Sequence, residues 1–170
     1  MTMLKILIET ADGIRNELAV LLGSRLIESK SYLATRTFCF ALCDESSTEP
    51  ITIGVECPWR MRRLAVIVTG SEDYSEDSDA GESSYDRQTE RLVGLLGEWR
   101  DESVFNCGSG FVVEGVDADD VGGFKILMTG GHLLEVFPTT SAEMEWIISS
   151  SGNRSLVLMN GVLNLSMSSS

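Results

Sequence analysis

Histidine occurs once in this chain, at His132, so a Ser-His-acid or Cys-His device would have to be assembled around that one imidazole. The sequence offers no G-x-S-x-G elbow and no activated-cysteine context, and His132 stands where a hairpin turn enters a strand. It reads as a structural or solvent-facing residue, not a general base. Cysteine is sparse and unpaired: Cys39, Cys43, Cys57 and Cys107 form no C-x-x-C motif and sit among apolar strand residues. Cys39 and Cys43 share a strand face, but a rise of about 3.3 Å per residue sets them about 13 Å apart, too far for one zinc with Zn–S bonds of about 2.3 Å. No metal and no cofactor is expected. Long apolar runs are missing too. The opening MTMLKILIE meets acidic residues at once and lacks a small-residue cleavage site, so it reads as neither a signal peptide nor a membrane span. Reduced thiols in a cytoplasmic protein are the expectation.

Positive charge is the other scarcity. Thirteen basic residues face twenty-six acidic ones, for a formal net charge of −13. Such a surface repels phosphate backbones and anionic lipid, which argues against direct nucleic-acid or membrane binding. A basic partner protein would instead be attracted and its encounter accelerated. The negative charge is concentrated. Between Glu72 and Glu90 eight acidic side chains stand against Arg87 alone, and the stretch SEDYSEDSDAGESSYD contains almost nothing to bury. A second run, Asp117, Asp119 and Asp120, precedes Gly122-Gly123. Neither run has the calcium-loop spacing, so both read as solvated acidic loops. The glycines at 108, 110, 122, 123, 130 and 131 fall in hairpin turns, not in a strand–GxGxxG–helix context, so no phosphate cradle is indicated. The one basic cluster, Arg60, Arg62 and Arg63 beside Trp59, is either a binding hot spot or the charges with which an edge strand avoids aggregation.

Along the chain, apolar residues from Ile14 to Leu22 recur at helical steps and stop at Gly23, which predicts a helix over 13–22 with Asp12 as its N-cap. Residues 25–43 and 51–57 are β-rich and predict an antiparallel hairpin across DESSTEP. The nearly continuous run Leu64 to Thr69 reads as a strand covered on both faces. A second helix is expected from Ser84 or Asp86 to Gly97, with Leu92, Val93, Leu95 and Leu96 as its apolar face. Further strands are expected at Val104–Val116, Phe124–Met128, Leu133–Phe137, Glu145–Ser149 and Leu156–Leu165. The fold class predicted is α+β, antiparallel and β-rich, with two helices and about eight strands.

Two pieces, ELAVLLGSRLIES at 17–29 and RLVGLLGEWRDES at 91–103, share Leu-Leu-Gly at a helix end and Glu-Ser beyond it at a constant offset. They suggest an internal duplication: one domain over 1–165 made of two similar halves, about 13–70 and 86–165, joined by the acidic loop 71–85, with 166–170 a frayed tail. The strings CPWRM, VTGSEDY and GGFKILMTGGHLLEVFPTTS, followed by a tryptophan, resemble a group of small bacterial proteins with Pro-Trp-Arg, Gly-Ser-x-Asp and Leu-Glu-Val-Phe-Pro motifs. Some of that group sit in toxin–immunity neighbourhoods, and the resemblance implies that Trp59, Glu135, Val136 and Phe137 are core or scaffold.

The expectation is a non-enzymatic acidic binding protein, of the immunity or inhibitor type, whose partner is a basic toxin or nuclease. Its contact residues would be Glu72, Asp73, Glu76, Asp77, Asp79, Glu82, Asp117, Asp119 and Asp120. A small-ligand domain with a pocket between two sheet units is the alternative, and a metal-dependent enzyme using acidic residues comes third.

Overall fold

The computed structural model describes residues 10–32, 35–42, 49–71, 73, 88, 91, 92, 94, 111–139, 143–150 and 154–167. Among them the chain forms eleven strands in two antiparallel sheets and an α-helix over Thr10–Leu18. The expectation of two helices with about eight strands is thus overturned, and the protein is mostly β. The second helix expected past Ser84 lies largely outside the described residues, where Gln88, Arg91, Leu92 and Gly94 have helical backbone.

Helix α1, Thr10–Leu18, starts earlier than its periodicity implied and tightens into a 3-10 turn over Ala19–Leu21. Asp12 therefore lies in the first turn, where it favours the positive end of the helix dipole, and is not the cap. Ala11, Ile14, Leu18 and Leu21 are buried along one face. Gly23 then turns the chain at φ 79°, and its N–H donates to the carbonyl of Val113 at 3.0 Å.

Strands β1 (Ser24–Tyr32), β2 (Thr35–Leu42), β3 (Ile51–Val55), β4 (Trp59–Arg63) and β5 (Val66–Gly70) come from the first part of the chain. The second part supplies β6 (Val113–Ala118), β7 (Phe124–Met128), β8 (His132–Val136), β9 (Met144–Ser150), β10 (Arg154–Met159) and β11 (Val162–Met167). The hairpin foreseen across DESSTEP is the antiparallel pair β2–β3, and β7–β8 is the one foreseen around Thr129-Gly130-Gly131. Two expectations fail here. Leu156–Leu165 is two strands, because Asn160 and Gly161 take φ of 54° and 67° and fold the chain back on itself. This is the Asn-Gly hairpin turn, whose left-handed residues suit the twist of the flanking strands. The run Leu64–Thr69 is not covered on both faces: β5 is the edge of its sheet, with Val66 and Ile67 exposed.

The six-stranded sheet runs β1-β2-β3-β9-β10-β11 and the five-stranded sheet β5-β4-β8-β7-β6. Exchanging β1–β5 for β6–β10 leaves the order of pairing unchanged, with β11 as the extra strand. Of the matched pieces at 17–29 and 91–103, the second lies mostly outside the described residues. The sheets face each other across one core of buried side chains from both. Two rows meet at its centre. Trp59, Val136 and Phe124 stand abreast in the five-stranded sheet, and Trp146, Val55 and Arg36 in the other. Phe124 packs edge-on to Trp146 at 5.4 Å, while across the symmetry its place is taken by Arg36, 5.9 Å over Trp59. Phe38 adds an edge-on contact to Trp59 at 5.2 Å.

Each side of the sandwich is closed by charged groups. On one, Arg15 of α1 reaches Asp117 and the carbonyl of Ala118, and Glu17 pairs with Arg154 of β10. On the other, the buried Arg36 donates to Gln88 at 2.8 Å, Gln88 donates to the carbonyl of Ser71, and Arg91 pairs with Asp73 at 2.9 Å.

Candidate functional site

Strand alternation sends Trp59, Met61, Ile126, Leu134 and Val136 inward, so the residues between them form the outer face of the five-stranded sheet. Register places Arg60, Glu135, Lys125 and Asp117 side by side across β4, β8, β7 and β6. Arg15 of α1 extends this row of alternating charge by its 3.0 Å bond to Asp117. The neighbouring row is Ile67, Arg62, Leu133, Leu127 and Gly115, apolar except for one guanidinium.

Glu135 is the anchor of this face. Its side chain is 4% exposed, and one oxygen accepts from Arg60 Nε at 2.6 Å and Arg62 Nε at 3.1 Å. Burial pushes its pKa up, but hydrogen bonds and charge from Arg60 and Arg62 outweigh that and hold it below the usual glutamate range. Two arginines share one carboxylate, which leaves the strip with surplus positive charge on a chain that is otherwise acidic. Arg60 also stacks on Phe137, its guanidinium carbon 4.9 Å from the ring centre. Sequence reasoning named Arg60, Arg62 and Arg63 but not the carboxylate that pairs with the first two. A lone Glu inside an apolar strand, opposite alternating arginines, was the available signal.

Two open depressions flank the strip. One of about 290 Å³ is walled by Pro58, Trp59, Ile67 and Phe137, with Arg60 and Asp73 at its rim. The other, of about 320 Å³, lies over Gly115 between Leu127, Leu133 and Lys125. A smaller cavity of about 100 Å³ opens between Asp119, Lys125 and Phe137.

The acidic residues named from sequence do not gather into one patch. Glu72, Glu76, Asp77, Asp79 and Glu82 lie outside the described residues. Asp73 accepts from the backbone of Gly70 at 3.0 Å as well as pairing with Arg91, so it closes a turn. Asp117 is drawn below the usual carboxylate range chiefly by its hydrogen bond to Arg15. Asp119 accepts from the N–H groups of Val121 and Gly123, at 3.0 and 2.7 Å, and shapes the β6–β7 turn. Asp120, exposed like the other two, has no bond of that kind among the described residues.

His132 is fully buried, with Nδ1 2.9 Å from the carbonyl of Thr129 and its ring 4.5 Å from that of Phe111. Cys39 and Cys57 are buried free thiols, and Cys43 and Cys107 lie outside the described residues. Burial, with Glu145 nearby, pushes the Cys57 thiol up to about 12, which keeps it protonated and unreactive. Among the described residues no three His, Cys, Asp or Glu side chains come together as metal ligands. No helix of the described residues is long and apolar enough to cross a membrane. Of the residues that the motif resemblance marks as scaffold, Trp59, Glu135 and Val136 are buried, and Phe137 is 37% exposed.

Among the described residues these features define a two-sheet antiparallel β protein with a charged outer face on its five-stranded sheet. No protein-family model, curated protein or solved structure matches the chain.

Proposed function

We propose that this chain is a non-enzymatic binding protein, of the immunity or inhibitor kind, that engages a basic protein such as a toxin or nuclease in the cytoplasm. The observation that carries this reading is the net charge of −13, with eight acidic side chains crowded between Glu72 and Glu90. A field of that sign and density speeds the encounter with a basic surface and holds it in register. Asp120, exposed on the β6–β7 turn, adds a further acidic group, and Asp117 beside it is exposed and held ionised by its bond to Arg15. Buried thiols kept reduced in the cytoplasm fit Cys39 and Cys57.

The test is capture from the source cell on the immobilised chain. A basic protein retained at low ionic strength and released as salt rises is the expected result. Retention insensitive to salt would remove the electrostatic part of the proposal. A small molecule found bound in a native mass spectrum would favour a ligand-binding domain in its place.

A further inference from the structure

Strand β11 has no counterpart among the described strands when β1–β5 are exchanged for β6–β10, so the two-part plan does not call for it. Its composition is also unlike the rest. Ser155 to Ser170 is the longest uncharged stretch of a chain in which charged residues make up 23%, and it takes in all of β11.

The four sheet edges differ in how they are guarded against pairing with another chain. β1 carries Arg25, Glu28 and Lys30 and is bulged between Leu26 and Glu28, and at its start Leu26 N–H donates to the carbonyl of Phe111 at 3.1 Å. β6 carries Glu114 and Asp117 and is bulged after Val113, and its Val113 and Ala118 carbonyls accept from Gly23 N–H and Arg15. On β5, Gly70 bonds to Asp73 through both backbone groups, and the carbonyl of Val68 accepts from Arg91 at 3.4 Å. β11 has no such guard: no charged side chain, no proline and no bulge against β10.

The two-residue turn fixes which of its backbone groups are taken. Met159 and Val162 close the hairpin as a hydrogen-bonded pair, so Val162, Asn164 and Ser166 bond toward β10. The N–H and carbonyl groups of Leu163 and Leu165 point the other way, and among the described residues they have no partner.

We propose that β11 is a homodimer edge. Two copies pair their β11 strands antiparallel about a twofold axis at Leu165, joining both six-stranded sheets into one. The strand itself selects this occupant. About Leu165 its pattern reads alike in both directions, setting Leu163 against Met167 and Asn164 against Ser166, apolar on apolar and polar on polar. The net charge of −13 opposes the approach of two copies, which is why an uncharged edge is needed. Phe124 of β7 packs on Trp146 of β9, and Arg36 of β2 lies over Trp59 of β4. This sets β5 and Asp73 at the β1 end of the sandwich, away from β11. The repulsion that remains acts at long range and is screened by salt. Pairing therefore tightens as salt rises, opposite to the capture of a basic protein, so the two readings can fail separately.

The test is sedimentation velocity of the full-length chain at low and high salt, over about a hundredfold in concentration up to about 1 mM, because an edge pairing of this size is weak. A monomer–dimer equilibrium that moves toward dimer with salt is expected. Hydrogen exchange at the Leu163 and Leu165 amides should slow as concentration rises. Asn164→Glu combined with Ser166→Glu sets carboxylates opposite one another and should weaken the dimer about tenfold or more at high salt. Val66→Glu combined with Val121→Glu adds the same charge at exposed sites off the edge and should leave the high-salt dimer intact. A chain that stays monomeric under all these conditions overturns the proposal. So does a dimer indifferent to charge on β11, or Leu163 and Leu165 amides already protected at high dilution.

Discussion

Glu135 shows how one side chain organises a face. Removing its charge strands two arginines around a mostly buried neutral group, while their own exposure of 42% and 35% lets water screen part of the loss. Glu135→Gln is expected to cost about 1–2 kcal/mol in urea unfolding, below the usual penalty for a fully buried pair because of that screening. Its pH dependence has a definite sign. The folded-state pKa lies below the unfolded one, so the contribution is full above the ordinary glutamate range and lost as pH falls through the lowered value. Stability of the natural chain should therefore drop more steeply below about pH 4.3 than that of Glu135→Gln. Equal slopes in the two proteins would deny Glu135 this role.

At the level of elements, turn chemistry decides the strand count. Asn160 and Gly161 both take positive φ, so Gly161→Val forces a β-branched residue into the left-handed region. A loss of about 1–2 kcal/mol in thermal unfolding is expected, with Gly161→Ala losing less. Leu64 is the opposite case, a bulky residue already at φ 53° with 70% of its surface in water. Leu64→Gly relieves that strain and should raise stability by up to about 1 kcal/mol. Both positions show where sequence reasoning failed. The Asn-Gly dipeptide marked a hairpin within a run read as one strand. The run from Leu64 to Thr69 looked buried because hydrophobicity alone does not distinguish a covered strand from an apolar edge that faces solvent.

Across the whole molecule, the symmetric strand order places one tryptophan from each part of the chain at the centre. Trp59 packs against Phe38 and Arg36, and Trp146 against Phe124, with its indole N–H donating to the carbonyl of Gly122 at 2.8 Å. Either Trp→Ala change is expected to cost about 3–5 kcal/mol by cavity formation. Because the two rows share one core, each variant should still lose near- and far-ultraviolet circular dichroism in a single coincident transition. Separate melting of part of the signal would show that the sheets are independent units.

The sequence by itself determined the β2–β3 and β7–β8 hairpins, the single histidine and the sign of the charge. Those properties are local, written in periodicity, turn residues and composition. Only the tertiary structure decided that the strands divide into two sheets of interleaved order, that Arg36 takes the place Phe124 holds across the symmetry, and that β5 is an edge. The acidic run at 117–120 was legible as charge, but not that Arg15 and the β6–β7 turn engage Asp117 and Asp119. Nor could Glu135 be paired with two arginines more than seventy positions away. The reason is physical: partners so far apart in sequence are brought together by sheet register, and register follows from how the whole chain buries its apolar faces.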